Sequence, residues 1–377
     1  MDVSHNWLPR RFALVTLAAV FAVVGPAVLS TACGAPNDAA TIANDSTDPA
    51  DAAADASVPS AAEPDAAAAS AQCTPPAAAP ASANDCTAPI APGTDRKCTI
   101  DVGGTQREVL VYAPPSYDAC KPAALVVDAH GSSETDAEQA GLSPFLDWPG
   151  GLGSGWRLVA DREGFLVAQP QGLQNAWTES DADFMLKIPG FVAKTAKVDS
   201  KRVYLTGISN GGELTYWTGC RDTDVFRAFA PVSGFGKEAC PLAHHAPLIH
   251  FHSPDDKIVP LADGQAAFQM WVASNHCKRG PSPASTFGGA SSDPRAVCLE
   301  AGSAASPKWK LAACGAAVPP TTCETWDQCD QGAEATFCTV SPDKQNHYDT
   351  TGGHILYING TKLSLAAVAW EYFKRFQ

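Results

Sequence analysis

Short apolar runs alternate with segments of helical period along most of the chain, and that alternation predicts the elements before any chemistry is considered. Residues 98–102 and 107–113 are strand-like runs flanking Gly103-Gly104, an opening hairpin that Pro114-Pro115 closes. Residues 123–129 are almost continuously apolar and end in His130-Gly131, as suits a buried parallel strand. Further strands are expected at 164–170, 203–205, 229–234, 247–252 and 334–340. Helices are expected in two pieces within 134–163, at 184–193 with a break at Pro189-Gly190, after Ser209, at 263–275 and at 363–376. In the last of these Leu365, Val368, Ala369, Tyr372, Phe373 and Phe376 recur at helical spacing. Strands interleaved with helices in this way predict an α/β fold, a mostly parallel central sheet with helices on both faces.

Three stretches depart from the pattern. Arg10-Arg11 precede an apolar run from Phe12 to Val24 broken only by Thr16, then Gly25-Pro26 and small residues, so 1–33 reads as an export signal. Residues 34–95 are dominated by Ala, Asp, Pro and Ser and cannot bury enough apolar surface to offset the entropy of ordering; they are expected to be a disordered linker. Prolines 49, 59 and 64 count against an Ala-rich helix there. Residues 278–322, rich in Pro, Gly, Ser and Ala, lack periodicity and read as a lid or a disulfide-stapled insertion in a domain spanning 96–377.

Charge narrows the partners. The formal net charge is −14, and 34–95 alone holds nine carboxylates and no Lys or Arg. The remainder is mildly acidic without a basic stripe, which speaks against nucleic acid. Leu29-Ser-Thr-Ala-Cys33-Gly34 resembles a bacterial lipoprotein cleavage site, with Cys33 as the lipidated residue, although the leucine sits one place further from the cysteine than usual. On that reading the membrane is met only through an N-terminal lipid anchor, and plain secretion is the alternative. Setting Cys33 aside from the 13 cysteines leaves an even set, expected to form disulfides outside the cell or on its surface. Expected pairings are Cys220 with Cys240, Cys73 with Cys86, and pairs within Cys277, Cys298, Cys314, Cys323, Cys329 and Cys338. No repeated Cys-x-x-Cys spacing occurs, so zinc is not expected; no other metal and no organic cofactor is expected either.

Candidate chemistry starts at Gly207-Ile208-Ser209-Asn210-Gly211, placed where a strand turns into a helix. This spacing fits a nucleophile elbow: the serine takes a strained positive φ, and glycines two residues to either side avoid collision with the neighbouring backbone. Amides at the start of the following helix then face any anion formed at the serine. The amides of Asn210 and of Ser132, after the 123–129 strand, are the expected oxyanion donors. An acid should follow in the turn after 247–252, where Asp255 and Asp256 compete. Among the histidines C-terminal to that turn only His354 sits in a glycine-bounded loop after a final strand. The order Ser, Asp, His supplies a nucleophile, an orienting carboxylate and a base titrating near neutrality. His130 and His252 are rivals for the base, less well placed. Trp177, in a polar loop beyond a strand end, is read either as a substrate platform or as a core or rim aromatic.

From about Cys98 to the C-terminus the chain resembles the carbohydrate-esterase and polyhydroxybutyrate-depolymerase group of α/β-hydrolases, which includes feruloyl and acetylxylan esterases. The stretches carrying the resemblance are Val126-Val-Asp-Ala-His-Gly131, Arg202-Val-Tyr-Leu-Thr-Gly-Ile-Ser-Asn-Gly-Gly212, Ala230-Pro-Val-Ser-Gly234, His252 to Pro260, and Gly352-Gly-His354. The resemblance implies Ser209 as nucleophile, His354 as base, and Asp256 as the acid, four residues before Pro260. It implies ester substrates on polysaccharide or polyester. The usual His-Gly-Thr before the acid is His252-Ser253-Pro254 here, and Ile355-Leu-Tyr follows the histidine, so the substrate rim departs from the family pattern. An amidase or peptidase using the same triad, and a catalytically silent glycan- or polymer-binding lipoprotein, are the alternatives.

Overall fold

The computed structural model describes residues 86–142, 153–236, 239–240, 245–283, 285–287, 297–301, 309–314, 321–340, 353–354 and 363–377. The chain divides into Met1–Ala68 and Ala69–Gln377, and every described residue belongs to the second unit. The expected export signal, Cys33 and most of the linker lie outside the described residues.

Twelve strands are described: β1 (Thr94–Val102), β2 (Thr105–Ala113), β3 (Ala123–Ala129), β4 (Leu166–Pro170), β5 (Val198–Ile208), β6 (Ala228–Val232), β7 (Leu248–His252), β8 (Ser285–Phe287), β9 (Val297–Ala301), β10 (Trp309–Ala313), β11 (Thr321–Trp326) and β12 (Ala335–Val340). Six helices accompany them: α1 (Asp136–Gln139), α2 (Trp156–Glu163), α3 (Ala182–Val192), α4 (Asn210–Arg221), α5 (Leu261–Ser274) and α6 (Leu365–Phe373). Ten strands form one sheet in the order β1-β2-β4-β3-β5-β6-β7-β12-β11-β8. Its centre, β4 through β12, is parallel, and antiparallel strands finish both edges.

Period-two alternation divides the core between the two faces of this sheet. Leu125, Val127, Ala129, Val203 and Leu205 point to one face, where Phe184 and Met185 of α3, Leu214 and Tyr216 of α4, and Phe268 and Trp271 of α5 cover them. Ala124, Val126, Tyr204 and Ile208 point to the other, under Trp156 of α2 and Trp370 and Phe373 of α6. There the Tyr204 and Phe373 rings stack at 4.5 Å and those of Phe165 and Trp370 at 4.0 Å. Burying each such ring contributes up to about 3 kcal/mol. Helices therefore cover both faces, as the alternation predicts.

Four expectations need correction. Ordered structure starts before residue 96: β1 begins at Thr94, and Ile90 is buried. Helix α3 runs through Pro189 rather than breaking there, with Ile188, Pro189 and Val192 all buried, so packing outweighs the hydrogen bond that proline removes. Cys86 pairs with Cys98, not with Cys73, because the hairpin brings Cys98 beside the incoming chain. The stretch 278–322 carries a disulfide staple, Cys298–Cys314, as one of its two readings expects, but it also contains regular structure: β8 and the start of β11 extend the sheet edge, and β9 and β10 form a separate hairpin that the staple ties. Cys220–Cys240 forms as expected, and Cys277–Cys329 and Cys323–Cys338 are further pairs within the expected cluster.

Candidate active site

Strand β5 delivers Ser209 at its C-terminal end, and α4 begins with the next residue. Ser209 has φ 54° and ψ −119°, the strained positive-φ geometry expected of an elbow. Its amide donates to Val232 O at 2.8 Å, anchoring the turn to β6. The flanking glycines are required by space. A Cβ on Gly207 would lie 2.3 Å from Gly211 O, and one on Gly211 would lie 2.3 Å from Ala129 O and 2.6 Å from His130 O. The same absence of side chain lets the elbow close against the loop after β3.

That loop is tightly pinned. The Gly131 amide donates to Glu134 Oε2 (2.8 Å), the Ser133 amide to Asn175 O (2.7 Å) and the Glu134 amide to Gly131 O (3.3 Å). Among the described residues the Ser132 amide has no such partner, and the Asn210 amide, first in α4, has no carbonyl within its helix to bond. Those are the two amides expected to serve an oxyanion. Glu134 was not singled out in the sequence; burial pushes its carboxyl up, and the Gly131 amide and the nearby His354 act against that rise.

His130 is not available as a base. Its Nε2 accepts from the Gly172 amide at 2.9 Å, which leaves Nδ1–H to donate to Gly131 O at 2.6 Å, and burial pushes its pKa down. Trp177 lies behind the site: it is only 4 % exposed, its indole N–H donates to His130 O at 2.8 Å, and its ring packs on His130. That burial leaves little ring face for a substrate, so the core reading of Trp177 fits and the platform reading does not. The Asn210 side chain holds it there, Oδ1 accepting from Trp177 N at 2.6 Å and Nδ2 donating to Trp177 O at 3.2 Å.

Strands β7 and β12 are parallel neighbours, so the residues that follow them emerge together. Asp256 follows β7 and His354 follows β12. His354 Nδ1 donates to Asp256 Oδ2 at 2.7 Å across 98 residues of sequence. Asp256 Oδ1 accepts from the amides of Ile258 and Val259, each at 2.9 Å. Burial pushes the Asp256 carboxyl up, but the hydrogen bond and charge of His354 and these two amides outweigh it and hold the carboxyl below its usual range. Asp255 is exposed and its amide caps on Ser253 Oγ, as suits a turn residue. Gly353 (φ 88°) brings the His354 loop within reach, since a Cβ there would lie 2.4 Å from Asp255 O.

Behind Asp256 runs a buried chain that the sequence did not reveal. His252 Nε2 donates to Val259 O at 2.9 Å and lies 3.5 Å from Asp256 Oδ2. A carbonyl only accepts, and burial lowers the pKa of both His250 and His252, so both rings are neutral. His252 Nδ1 must then accept from His250 Nε2–H at 3.0 Å, and His250 Nδ1 from the Tyr216 hydroxyl at 2.8 Å. Gly264 of α5 leaves room for these rings, a Cβ there falling 2.4 Å from His252 Nδ1. His252 thereby fixes the backbone of Val259, whose N–H, on the preceding peptide group, orients the Asp256 carboxylate.

A parallel sheet with a strained serine at a strand end and an Asp–His pair at the same edge is the architecture of an α/β-hydrolase. No family model matches the chain. Among curated proteins it is similar to the bifunctional acetylxylan esterase/xylanase XynS20E of Neocallimastix patriciarum, 29% identical over 48% of this chain and 26% of that protein. It is similar also to feruloyl esterase C of Emericella nidulans, 26% identical over 50% of this chain and 70% of that protein, and to feruloyl esterase B of Piromyces equi, 25% over 72% and 45%. For the first and third of these, then, the matched segment spans less than half of the relative's own length. Among solved structures an acetyl xylan esterase from Aspergillus awamori superposes with a TM-score of 0.45 at 14% identity, covering 68% of this chain and 97% of that one.

Proposed function

We propose that the chain is an exported serine carboxylic-ester hydrolase in which Ser209 attacks the ester carbonyl. His354 takes the hydroxyl proton and returns it to the leaving alcohol, while Asp256 holds Nδ1–H and stabilises the imidazolium. The Ser132 and Asn210 amides stabilise the tetrahedral oxyanion, each contributing about 3–4 kcal/mol as such donors do elsewhere. The observation that carries this reading is the 2.7 Å bond from His354 to Asp256 at the sheet edge where the strained Ser209 also stands.

Feruloyl or acetyl esters on polysaccharide are the substrates that the named relatives favour, with hydroxyalkanoate polyester as the further candidate. Disulfides throughout the described domain support a site of action outside the cell or on its surface, reached by secretion or through lipid at Cys33. The test is Ser209→Ala. Hydrolysis of short-acyl p-nitrophenyl esters and labelling by a fluorophosphonate probe should both vanish while the fold, followed by circular dichroism, is retained; retained turnover would remove Ser209 from the mechanism. Matched amides alongside the esters separate the peptidase alternative. Release assays on feruloylated xylan, acetylated xylan and polyhydroxybutyrate then identify the substrate class.

A further inference from the structure

Strands β7 and β12 carry chemistry at both ends. At their N-terminal edge His245, three residues before β7, meets Asp330, which precedes β12, and His276, which follows α5. His276 Nδ1 lies 2.8 Å from Asp330 Oδ2, and His245 Nε2 lies 3.7 Å from the same oxygen. The ligand-type atoms of all three side chains lie within 4.8 Å of one another. The two separations bracket the roughly 3.3 Å that two bonds of about 2.0 Å at a tetrahedral angle would set.

The three side chains are brought together by connections that do not involve them. The Cys277–Cys329 disulfide joins the residues immediately next to His276 and Asp330. Asn275, fully buried, ties the same segments: its carbonyl accepts from the Asp330 amide at 2.9 Å, and its Nδ2 donates to Ala246 O, beside His245, at 2.8 Å. Trp271 Nε1 donates to the same Ala246 carbonyl at 2.9 Å. Each ligand-bearing residue therefore neighbours one that is fixed by a disulfide or by a hydrogen bond to a buried side chain. A cation would find the donors assembled, without ordering three mobile loops. His276 and Asp330 keep solvent access, with side chains 65% and 39% exposed, so an ion can enter and retain water.

We propose that His245, His276 and Asp330 bind a divalent cation of the zinc, copper or nickel type, at the edge of the sheet opposite the proposed catalytic residues. Two imidazoles and one carboxylate suit these borderline ions better than magnesium or calcium, which prefer oxygen donors. Three protein ligands leave a coordination position for water. Bound there, the ion clips the entries to β7 and β12 to the end of α5, so it stabilises the folded chain and leaves ester hydrolysis alone. Cysteine spacing gives no hint of this cluster, whose members are separated by 31 and 54 residues.

The test uses the full chain freed of metal by chelation and titrated with zinc chloride by calorimetry, with thermal unfolding measured in parallel. Saturable binding of one ion per chain and a higher Tm with zinc are expected. His276→Ala and Asp330→Asn, both at solvent-accessible positions, should each weaken binding by about tenfold or more. Hydrolysis of p-nitrophenyl acetate should be unchanged by one equivalent of zinc. The proposal is overturned if the native chain shows no saturable binding, if the two variants bind zinc as tightly as the native chain, or if binding is lost instead in His354→Ala. Because the readouts are binding and Tm, the outcome does not depend on whether the chain is an esterase.

Discussion

The two ends of β7 and β12 hold similar groups in opposite surroundings. At the C-terminal end His252 and Asp256 are buried beside His250, and every imidazole nitrogen of His250 and His252 is committed to a protein partner. At the N-terminal end the side chains of His276 and Asp330 are 65% and 39% exposed, with His245 more enclosed at 14%. Burial makes the first group a rigid scaffold: its histidines stay neutral, their tautomers are dictated in series from Val259 O back to Tyr216, and the result is an Asp256 carboxylate aimed at His354. Exposure makes the second group a set of accessible donors. The same residue types thus hold the proposed catalytic acid in place at one end and form the proposed cation site at the other, and the degree of desolvation is what separates the two roles.

The contrast should be sharpest in turnover. Asp256→Asn removes the acceptor that fixes the His354 tautomer and should lower kcat about ten-thousand-fold, as loss of the acid does in other triads, whereas Asp330→Asn should leave kcat within error. Steady-state kinetics on one p-nitrophenyl ester compare the two directly. Equal losses would show that the ends are not functionally distinct.

Stability should separate them next. Tyr216→Phe leaves the buried His250 Nδ1 without its donor and should cost about 1–3 kcal/mol in urea unfolding. It should also lower kcat more than it changes KM, because the freed tautomers loosen the Val259 backbone; a variant as stable and active as the native chain would show that the relay does not matter.

The pH response has a defined sign. His250 and His252 have folded-state pKa values pushed below the ordinary 6.5 by burial. Their neutral form is fully compatible with folding above about pH 6.5. As the pH falls below that value the unfolded chain takes up protons that the folded chain does not, so stability declines, by at most about 1.4 kcal/mol per pH unit for each histidine. Unfolding free energies at several pH values between 7.5 and 5 measure the slope, and His250→Gln should make it shallower. The smallest effect belongs to the exposed end: without added metal, His276→Ala should change stability at pH 7.5 by no more than about 0.5 kcal/mol.

Much of the proposed site is legible because its constraints are local. The elbow needs Gly207 for a steric reason that a five-residue window contains, a Cβ there falling 2.3 Å from Gly211 O, whereas the need for glycine at 211 comes from the approach of Ala129 O at 2.3 Å after β3. The apolar runs at β3, β5, β6 and β7 mark strands buried on both faces. Less legible is whatever depends on neighbours distant along the chain. Trp177 could be placed in a loop, but its burial against His130 follows from how Asn210 and the β3 loop pack around it. The irregular composition of 278–322 hides strands because two of them are added at a sheet edge by pairing, which imposes little hydrophobic period.

Primary structure alone therefore determined the order of elements, the serine turn and the residue types available for acid and base, since each follows from periodicity, glycine sterics or side-chain chemistry. The pairing of Cys86 with Cys98, the tautomer chain from Tyr216 to Val259 and the meeting of His245, His276 and Asp330 were decided by the folded sheet. Parallel neighbours bring together the ends of strands that lie far apart in sequence, and only that juxtaposition, with the burial it creates, sets which of nine histidines stay neutral and which remain open to solvent.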